Sequence, residues 1–379
     1  MGKISLEISI EPKILSWARQ SIGLSRDTVA KKLRTSENSV IAWESGDRKT
    51  TLTTLKKLSN IYKRSLATFF LPEPPQEPPI PKDFRSLPSK EKKILSSKTL
   101  LAIRNARRYQ SLSIELERSL NRKTVHKIKN VSVAEDPENL ANKLRQKLGI
   151  SIQTQINWKN EYMAFYQWKE ILEQTGIFIF QFSMPTEEIR AFSILEGDIP
   201  VIALSSKDSI TARIFSLFHE YAHIMLNLSG LCNMQEPEDS EENKQIEIFC
   251  NHFAGSFLVP KDNLLNQPFQ KKEIDEILLE LSKKYKVSKE VVLRRMLICK
   301  LVDNKFYEKK REEWRAKEWQ PKKGGGINKP EKKCLQEKGK NYVTLVIEAH
   351  KQKKITYKDM ADYLSLRTKY IPKVEQLIG

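Results

Sequence analysis

The residues best suited to chemistry lie in one short stretch, His219-Glu220-Tyr221-Ala222-His223, which has the pattern H-E-x-x-H. On a helix, side chains four positions apart share a face, so His219 and His223 can reach one metal ion together. Glu220, one residue further along, can face a water molecule on that ion. Two imidazoles and a carboxylate hold Zn²⁺ and leave a position for water, whose proton a second carboxylate can take. The stretch therefore predicts metal-assisted attack of water on a carbonyl.

A candidate third ligand, Glu247, follows 24 residues after His223, which leaves room for a loop and a returning helix. Asn251 lies one helical turn beyond Glu247 and can orient a ligand histidine. The alternative is a buried helix whose histidines have ordinary hydrogen-bond partners. The apolar neighbours of the motif favour a metal site, because unpaired ionisable groups in a buried helix are costly. The candidates for an oxyanion donor are Tyr221, Asn251 and His252.

The sequence HEYAH, followed by E-x-x-x-N-x-F-A-x-x-F-L-x-P, resembles the ImmA/IrrE family of bacterial and phage metallopeptidases. By that resemblance His219, His223 and Glu247 are the metal ligands, and Glu220 is the general base. Cys250 stands where the family usually has Ala, which is a small-for-small change. The implied metal is Zn²⁺, and Mn²⁺ can use the same ligands. The resemblance implies an enzyme that cuts or inactivates a transcriptional repressor.

Composition narrows the class of protein. The chain has 379 residues, which indicates two or three domains, and its formal charge of +19 favours an anionic partner such as nucleic acid. A lysine-rich proteome is the other explanation of the charge. No run of about 18 apolar residues occurs, so neither a membrane span nor a membrane partner is expected. The four cysteines lack C-x-x-C spacing, which argues against a disulfide framework and favours the cytoplasm.

Residues 12–71 are predicted to form five short helices. Two of these helices, Arg26 to Leu33 and Glu37 to Glu44, are joined by a short turn and make a helix-turn-helix. Serines precede both helices as N-caps, and Gly46 ends the second. The segment from Leu24 to Gly46 resembles the Cro/repressor class of helix-turn-helix, including its Trp-Glu-x-Gly ending.

By this second resemblance, the residues that face the DNA major groove are Glu37, Asn38, Ser39 and Ala42. The candidates for contact with phosphates are Arg26, Lys31, Arg48 and Lys49. Residues 1–72 hold 13 Lys and Arg against 6 Asp and Glu, a balance that suits binding to the DNA backbone. A helical module that binds protein is the alternative, since this fold also serves dimerisation.

The sequence predicts a mainly α protein with a small β-sheet. An all-α helix-turn-helix domain is followed by an α+β zincin-like metallopeptidase domain and a helical C-terminal tail. The predicted boundaries are 1–72 for the DNA-binding domain, 73–88 for a Pro-rich linker, 89–302 for the metallopeptidase domain, 303–340 for a basic flexible linker and 341–379 for the tail.

Three strands are predicted just before the metal helix, at residues 177–182, 191–195 and 200–204. The turn Glu196-Gly197-Asp198 predicts that the last two strands form a hairpin. Zinc peptidases commonly bind an extended substrate along the edge of a sheet, and residues 201–204 are the expected edge.

These features predict a DNA-binding, zinc-dependent endopeptidase, with double-stranded DNA and a repressor protein as its partners. Cleavage would release stress or mobile-element genes. The alternative is a transcriptional regulator or antitoxin-like binding protein whose zincin domain senses or scaffolds without proteolysis. An intact Glu220 favours the enzyme, because a scaffold does not need this carboxylate.

Overall fold

The computed structural model describes residues 7–78, 95–122, 128–228, 241–269, 273–316 and 329–378. These residues fall into two compact units, of which the first holds residues 7–78 and 95–105 and the second holds the described residues from Ala106 onwards. Helices dominate both units. No helix among the described residues is long and apolar enough to cross a membrane.

The first unit is a small bundle of helices. It contains β1 (Glu7–Ile8), α1 (Pro12–Gln20), α2 (Arg26–Leu33), α3 (Glu37–Ser45), β2 (Thr50–Thr51), α4 (Leu52–Tyr62) and a 3-10 helix (Leu66–Phe70). Helices α2 and α3 each begin after a serine whose hydroxyl accepts a hydrogen bond from the backbone N–H three residues on. Gly46 ends α3 at a φ of 89°, which favours glycine. The predicted helical helix-turn-helix domain is confirmed, with a short ladder between β1 and β2 added to its helices.

A long helix, α5 (Ser97–Ser119), divides between the two units after Asn105. Within the first unit, Arg104 donates hydrogen bonds of 3.2 and 3.0 Å to the carbonyls of Tyr62 and Lys63 at the end of α4. We expected the whole helix to belong to the metallopeptidase domain, and the observed grouping differs. A helical pattern in a sequence does not show against which core its apolar face packs.

The second unit is built around a sheet of three strands, β3 (Phe178–Phe182), β4 (Ala191–Ile194) and β5 (Val201–Ser205). Strand β5 is central, parallel to β3 and antiparallel to β4. The predicted hairpin between β4 and β5 is confirmed. The prediction that β5 forms the edge is wrong, because β5 has a neighbour on each side. Its apolar sequence suits a fully covered strand as well as an edge, and pairing with a distant segment decides between them.

The second unit also contains nine helices in the described part of the chain from residue 128 to residue 316. They are α6 (Pro137–Lys147), α7 (Ile152–Asn157), α8 (Glu161–Glu173), α9 (Ile210–Met225), α10 (Glu241–Leu258), α11 (Lys261–Leu265), α12 (Ile274–Tyr285), α13 (Lys289–Ile298) and α14 (Asn304–Ala316). Helix α9 carries the H-E-x-x-H motif and follows β5 directly. It packs against the sheet, α8 and α10.

Three aromatic rings join the helices that surround the motif. Trp168 of α8 lies 5.1 Å, centroid to centroid, from Phe218 of α9 and 5.4 Å from Phe257 of α10. Phe218 and Phe257 stack on each other at 4.2 Å. All three side chains are fully buried. Because such pairs interdigitate at close-packed density, the relative position of α9 and α10 is well defined.

The C-terminal segment is helical and starts earlier than expected. It consists of α15 (Pro330–Lys338), α16 (Lys340–Lys351), α17 (Tyr357–Leu364), a 3-10 helix (Thr368–Tyr370) and α18 (Ile371–Ile378). We expected residues 303–340 to be a flexible linker, and this is wrong for α14 and α15. Their composition is rich in lysine, which indicates solvent exposure and does not exclude a helix. The Gly324-Gly325-Gly326 run and residues 79–88 of the Pro-rich linker lie outside the described residues.

Alternate residues of β3 contact different layers. Ile179, like Ile177 just before the strand, packs into the core around α9, whereas Phe180 contacts Tyr109 of α5 and Tyr342 of α16, with centroids 5.2 and 5.5 Å apart. Since successive side chains of a strand point to opposite faces, the C-terminal segment covers the face of the sheet that α9 does not.

A buried ion pair on α8 holds the junction of α15 and α16. Lys169 donates a 3.1 Å hydrogen bond to the Gln336 carbonyl near the end of α15, and the Glu173 carboxylate accepts one from the Asn341 N–H at the start of α16. A cation thus meets the negative end of one helix dipole and an anion meets the positive end of the next. Between them, Gly339 has a φ of 79°, and an added Cβ would collide with the Glu173 carboxylate.

Candidate functional site

Helix α9 places the two histidines of the motif side by side. The helix begins at Ser209, whose hydroxyl accepts from the Ala212 N–H, and every residue from Arg213 to Met225 is buried. His219 and His223, one turn apart, have their Nε2 atoms 3.1 Å from each other. The two histidines therefore share one face of the helix, as their spacing predicted, and both are buried.

The carboxylate of Glu247 on α10 completes a cluster with the two histidines. Its oxygens lie 3.4 Å from His219 Nε2 and 3.1 Å from His223 Nε2. Ligand atoms of the three side chains all lie within 4.8 Å of one another. In a tetrahedral site with bonds near 2.0 Å, two ligand atoms are about 3.3 Å apart. The three groups thus have the donor types and the separations that suit a divalent cation.

The contacts with the two histidines also determine the charge state of Glu247. Burial alone would raise the pKa of Glu247, but its contacts with His219 and His223 outweigh burial and lower that pKa far below its usual range. The carboxylate is therefore ionised at neutral pH and is ready to bind a cation. The Glu247 side chain is 42% exposed, whereas both histidines are buried. The cluster is therefore open to solvent on the side of Glu247.

Asn251 lies one turn beyond Glu247 and holds the first histidine. Its Oδ1 is 3.2 Å from His219 Nδ1. An amide oxygen accepts only from a protonated nitrogen, so this contact selects the tautomer whose Nε2 has a free lone pair. The structure therefore brings Asn251 into contact with one of the two motif histidines.

Glu220 is not one of the three clustered side chains, and it is fully buried. Its Oε2 accepts a 2.9 Å hydrogen bond from the hydroxyl of Ser193 on β4. Sequence reasoning missed Ser193. The only available signal was a single hydroxyl residue in the otherwise apolar run Ala191–Ile194 that precedes the motif.

Two of the three oxyanion candidates have other partners. Tyr221 is buried and bonds with Thr175, and burial raises its pKa to about 12. His252 Nε2 lies 3.0 Å from Glu138 Oε1 on α6. Asn251 contacts His219 through its Oδ1, so only its Nδ2 amide group could donate to an oxyanion.

The helix-turn-helix presents part of the predicted DNA surface. Glu37 and Asn38 at the start of α3 are exposed, whereas Ser39 and Ala42 are half-buried. Ser39 is bound locally, because its hydroxyl lies 3.0 Å from that of Ser36. Ile41 was not predicted, yet its side chain is 39% exposed on the same helix.

The residues predicted to contact phosphates differ in whether they form ion pairs within the protein. Arg26 donates a 2.9 Å hydrogen bond to Glu44, which also binds Arg19 at 2.6 Å. Lys31 pairs with Asp27 at 2.8 Å in an exposed, solvated ion pair. Arg48 and Lys49 follow α3 and are exposed. Arg26 therefore stabilises the helix pair as well as lying at its surface.

Comparison with protein families agrees with this geometry. Residues 172–297 match the model of a peptidase family described as the IrrE N-terminal-like domain. Residues 15–69 match the model described as helix-turn-helix. The chain thus has a segment similar to the IrrE N-terminal-like domain, here called the IrrE-like domain, after a segment similar to a helix-turn-helix domain. No curated protein matches the chain.

The IrrE-like domain holds α10 firmly at its C-terminal end. Three buried side chains bind carbonyls there: Arg145 binds Phe257 O, Gln155 binds Leu258 O and Arg295 binds Val259 O, at 2.8, 2.9 and 2.9 Å. Cations and amide donors suit the negative end of a helix dipole. Because α10 carries Glu247 and Asn251, this anchoring sets where both side chains meet α9.

Arg295 also organises a charged network within the IrrE-like domain. Its guanidinium is fully buried and binds both oxygens of Glu138, at 2.6 and 3.0 Å. Burial alone would raise the pKa of Glu138, but hydrogen bonds from His252 and Arg295 lower it to about 2. This network joins α6, α10 and α13. It therefore helps to fix the position of α10, the helix that carries Glu247.

Proposed function

We propose that the chain is a Zn²⁺-dependent endopeptidase that cleaves or inactivates a transcriptional repressor and reaches its promoter through the helix-turn-helix. Mn²⁺ is the alternative metal. The observation that carries the proposal is the convergence of His219, His223 and Glu247 beside a separate, buried carboxylate, Glu220. Destruction of the repressor would release stress or mobile-element genes.

Each residue of the centre then has a distinct role. His219, His223 and Glu247 would hold the ion, which when bound polarises a carbonyl and makes water more acidic. Glu220 takes up the proton of the attacking water and delivers it to the leaving amine. Asn251 keeps His219 in the required tautomer and orientation.

The substrate would add to β4, which replaces the edge expected from the sequence. The backbone N–H of Ser205 donates a 2.8 Å hydrogen bond to the Arg190 carbonyl, and Ser193 lies opposite Ile202 in the antiparallel register. Because hydrogen-bonded and non-hydrogen-bonded pairs alternate along such a ladder, the N–H and C=O groups of Ala191 and Ser193 point away from β5. In the described part of the chain no strand pairs with that side of β4, so an extended peptide can bind there.

For the DNA-binding half, we propose that α3 enters the major groove of double-stranded DNA. Glu37 and Asn38 supply an acceptor and an amide that can read base edges, and Ile41 supplies an apolar contact. Arg48 and Lys49 would contact phosphates beside the groove. The exposure of these side chains supports the assignment.

The test combines metal analysis with a cleavage assay on the full-length protein. Purified protein is incubated with the repressor encoded beside its own gene, and the Glu220→Gln variant is the control. One metal ion per chain together with cleavage by the native protein alone would support the proposal. Metal binding without cleavage would favour the alternative, in which the domain senses or scaffolds as part of a transcriptional regulator or an antitoxin-like binding protein.

A further inference from the structure

A strand side chain contacts the acid–base residue of the centre. Ser193 Oγ donates to Glu220 Oε2 at 2.9 Å, although 27 residues separate them in the chain. Ser193 lies on β4, whereas Glu220 lies on α9. The contact therefore joins the outer strand of the sheet to the metal helix at the point where the chemistry is proposed to occur.

The orientation of a glutamate carboxylate is not set by its backbone. Three torsions separate the Cα from the two oxygens, and the last of them is broad. Burial of Glu220 limits the available space, but a directional hydrogen bond is needed to fix the plane of the carboxylate. A hydroxyl donor to a charged acceptor is a strong hydrogen bond and suits this purpose.

Ser193 also belongs to the strand segment that would receive the substrate. Its backbone N–H and C=O face the free side of β4, as the alternation along the β4–β5 ladder requires. Its side chain points towards α9. One residue thus has its backbone available to a bound peptide and its hydroxyl on the proposed general base.

We propose that Ser193 is a positioning residue, which holds the Glu220 carboxylate in the orientation needed for proton transfer and links that orientation to substrate pairing on β4. This inference rests on the proposed function. It predicts an effect on turnover that is larger than any effect on metal binding or on stability.

The test compares three variants of the full-length protein. Ser193→Ala removes the hydroxyl, and Ser193→Thr restores it on a residue suited to a strand. Ser205→Ala is the matched control, because Ser205 is also a strand serine, with its hydroxyl bonded to the Met184 carbonyl at 2.7 Å. Metal content, melting temperature, and kcat and KM on the neighbouring repressor are measured for each.

A second readout does not depend on turnover. The protein is loaded with Co²⁺, and acetohydroxamate is titrated while the visible absorption of the metal is recorded. A hydroxamic acid releases a proton as it binds a metal ion, so its affinity depends on a carboxylate placed to receive that proton. This affinity therefore reports the position of Glu220 even with no peptide present.

We expect Ser193→Ala to keep its metal and to lose on the order of 10- to 100-fold in kcat and in acetohydroxamate affinity, the range for a hydrogen bond to a charged group. Ser193→Thr should recover most of both, and Ser205→Ala should change neither. Unchanged kcat and affinity in Ser193→Ala, beside an active native protein, would overturn the inference alone. Native protein that binds neither metal nor acetohydroxamate would overturn the proposed function, and the inference with it.

Discussion

His223 Nε2 lies 3.1 Å from Glu247 Oε1, although the two residues belong to different helices. The distance depends on the packing of α9 against α10, which rests on Trp168, Phe218 and Phe257. A metal held between the two helices would in turn stabilise that packing, because ligand binding to the folded state alone raises its stability.

The first prediction concerns metal binding. His223→Ala should reduce the metal content from one ion per chain to nearly none, and the native protein should melt at a lower temperature after chelation. Elemental analysis and thermal melts measure both. Glu242→Gln, an exposed carboxylate on the same helix as Glu247, is the control and should keep its metal. A folded His223→Ala protein with full metal content would refute the ligand assignment.

The second prediction separates chemistry from metal binding. Glu220→Gln preserves the shape of the side chain and removes the basic oxygen. Cleavage of the repressor should fall by roughly 10²- to 10⁴-fold, the usual contribution of a general base. Metal content and DNA binding should not change. A Glu220→Gln protein that still relieves repression fully in cells would show that the protein acts by binding.

The third prediction concerns DNA recognition. Asn38→Ala should weaken binding to the native promoter by about 1–3 kcal/mol and leave non-specific binding unchanged, because it removes a reader of base edges. Arg48→Ala should weaken binding to all sequences and reduce the salt dependence by about one unit of slope. Lys143→Ala, which removes an exposed charge from α6 in the other unit, is the control. Footprinting across a salt series measures these effects, and equal losses on all DNA from Asn38→Ala would contradict the assignment.

The fourth prediction concerns acid stability. The pKa of Glu138 falls from 4.5 to about 2 because His252 and Arg295 bind its carboxylate. A lowered carboxyl pKa contributes stability that is present above pH 4.5 and is lost as the pH falls towards 2. At neutral pH, Glu138→Gln should therefore be about 3 kcal/mol less stable than the native protein, since it leaves Arg295 without its anion. Urea unfolding between pH 6 and pH 2.5 should show this difference shrinking, and a constant difference would argue against the ionised pair.

The fifth prediction concerns the junction of α15 and α16. Gly339 and Gly149 both have a positive φ, of 79° and 67°, but only Gly339 lies against other atoms. Gly149→Ala should cost about 1 kcal/mol from backbone strain alone. Gly339→Ala should cost clearly more, because its Cβ would displace the Glu173 carboxylate. Equal losses in thermal melts would mean that the junction is loosely held.

Local signals explain what the sequence could predict. The serines at the starts of α2 and α3 bind backbone N–H groups only three residues away, and the two histidines of H-E-x-x-H lie one turn apart. These helices and the histidine pair could therefore be predicted from the sequence. Glu247 and Asn251 follow the same helical spacing on a single returning helix. These features need no knowledge of distant pairing.

Non-local contacts explain what the sequence could not show. The central position of β5 depends on β3, which precedes it by about twenty residues in the chain. Ser193 is one hydroxyl in an apolar strand, and only the approach of α9 gives it a partner. Helix α15 has a polar composition typical of a linker, and Lys169 of a helix far earlier in the sequence binds the carbonyl of its residue Gln336.

Truncation of the C-terminal segment would uncover the aromatic face of β3. A premature stop codon between α14 and α15 would leave the rings of Phe178 and Phe180 without the Tyr342 ring that covers them. The truncated chain would present an apolar surface to water and become a target for aggregation and quality-control proteases. Nonsense alleles between the codons of α14 and α15 would then behave as complete losses of the protein, although every residue of the proposed metal centre is still encoded.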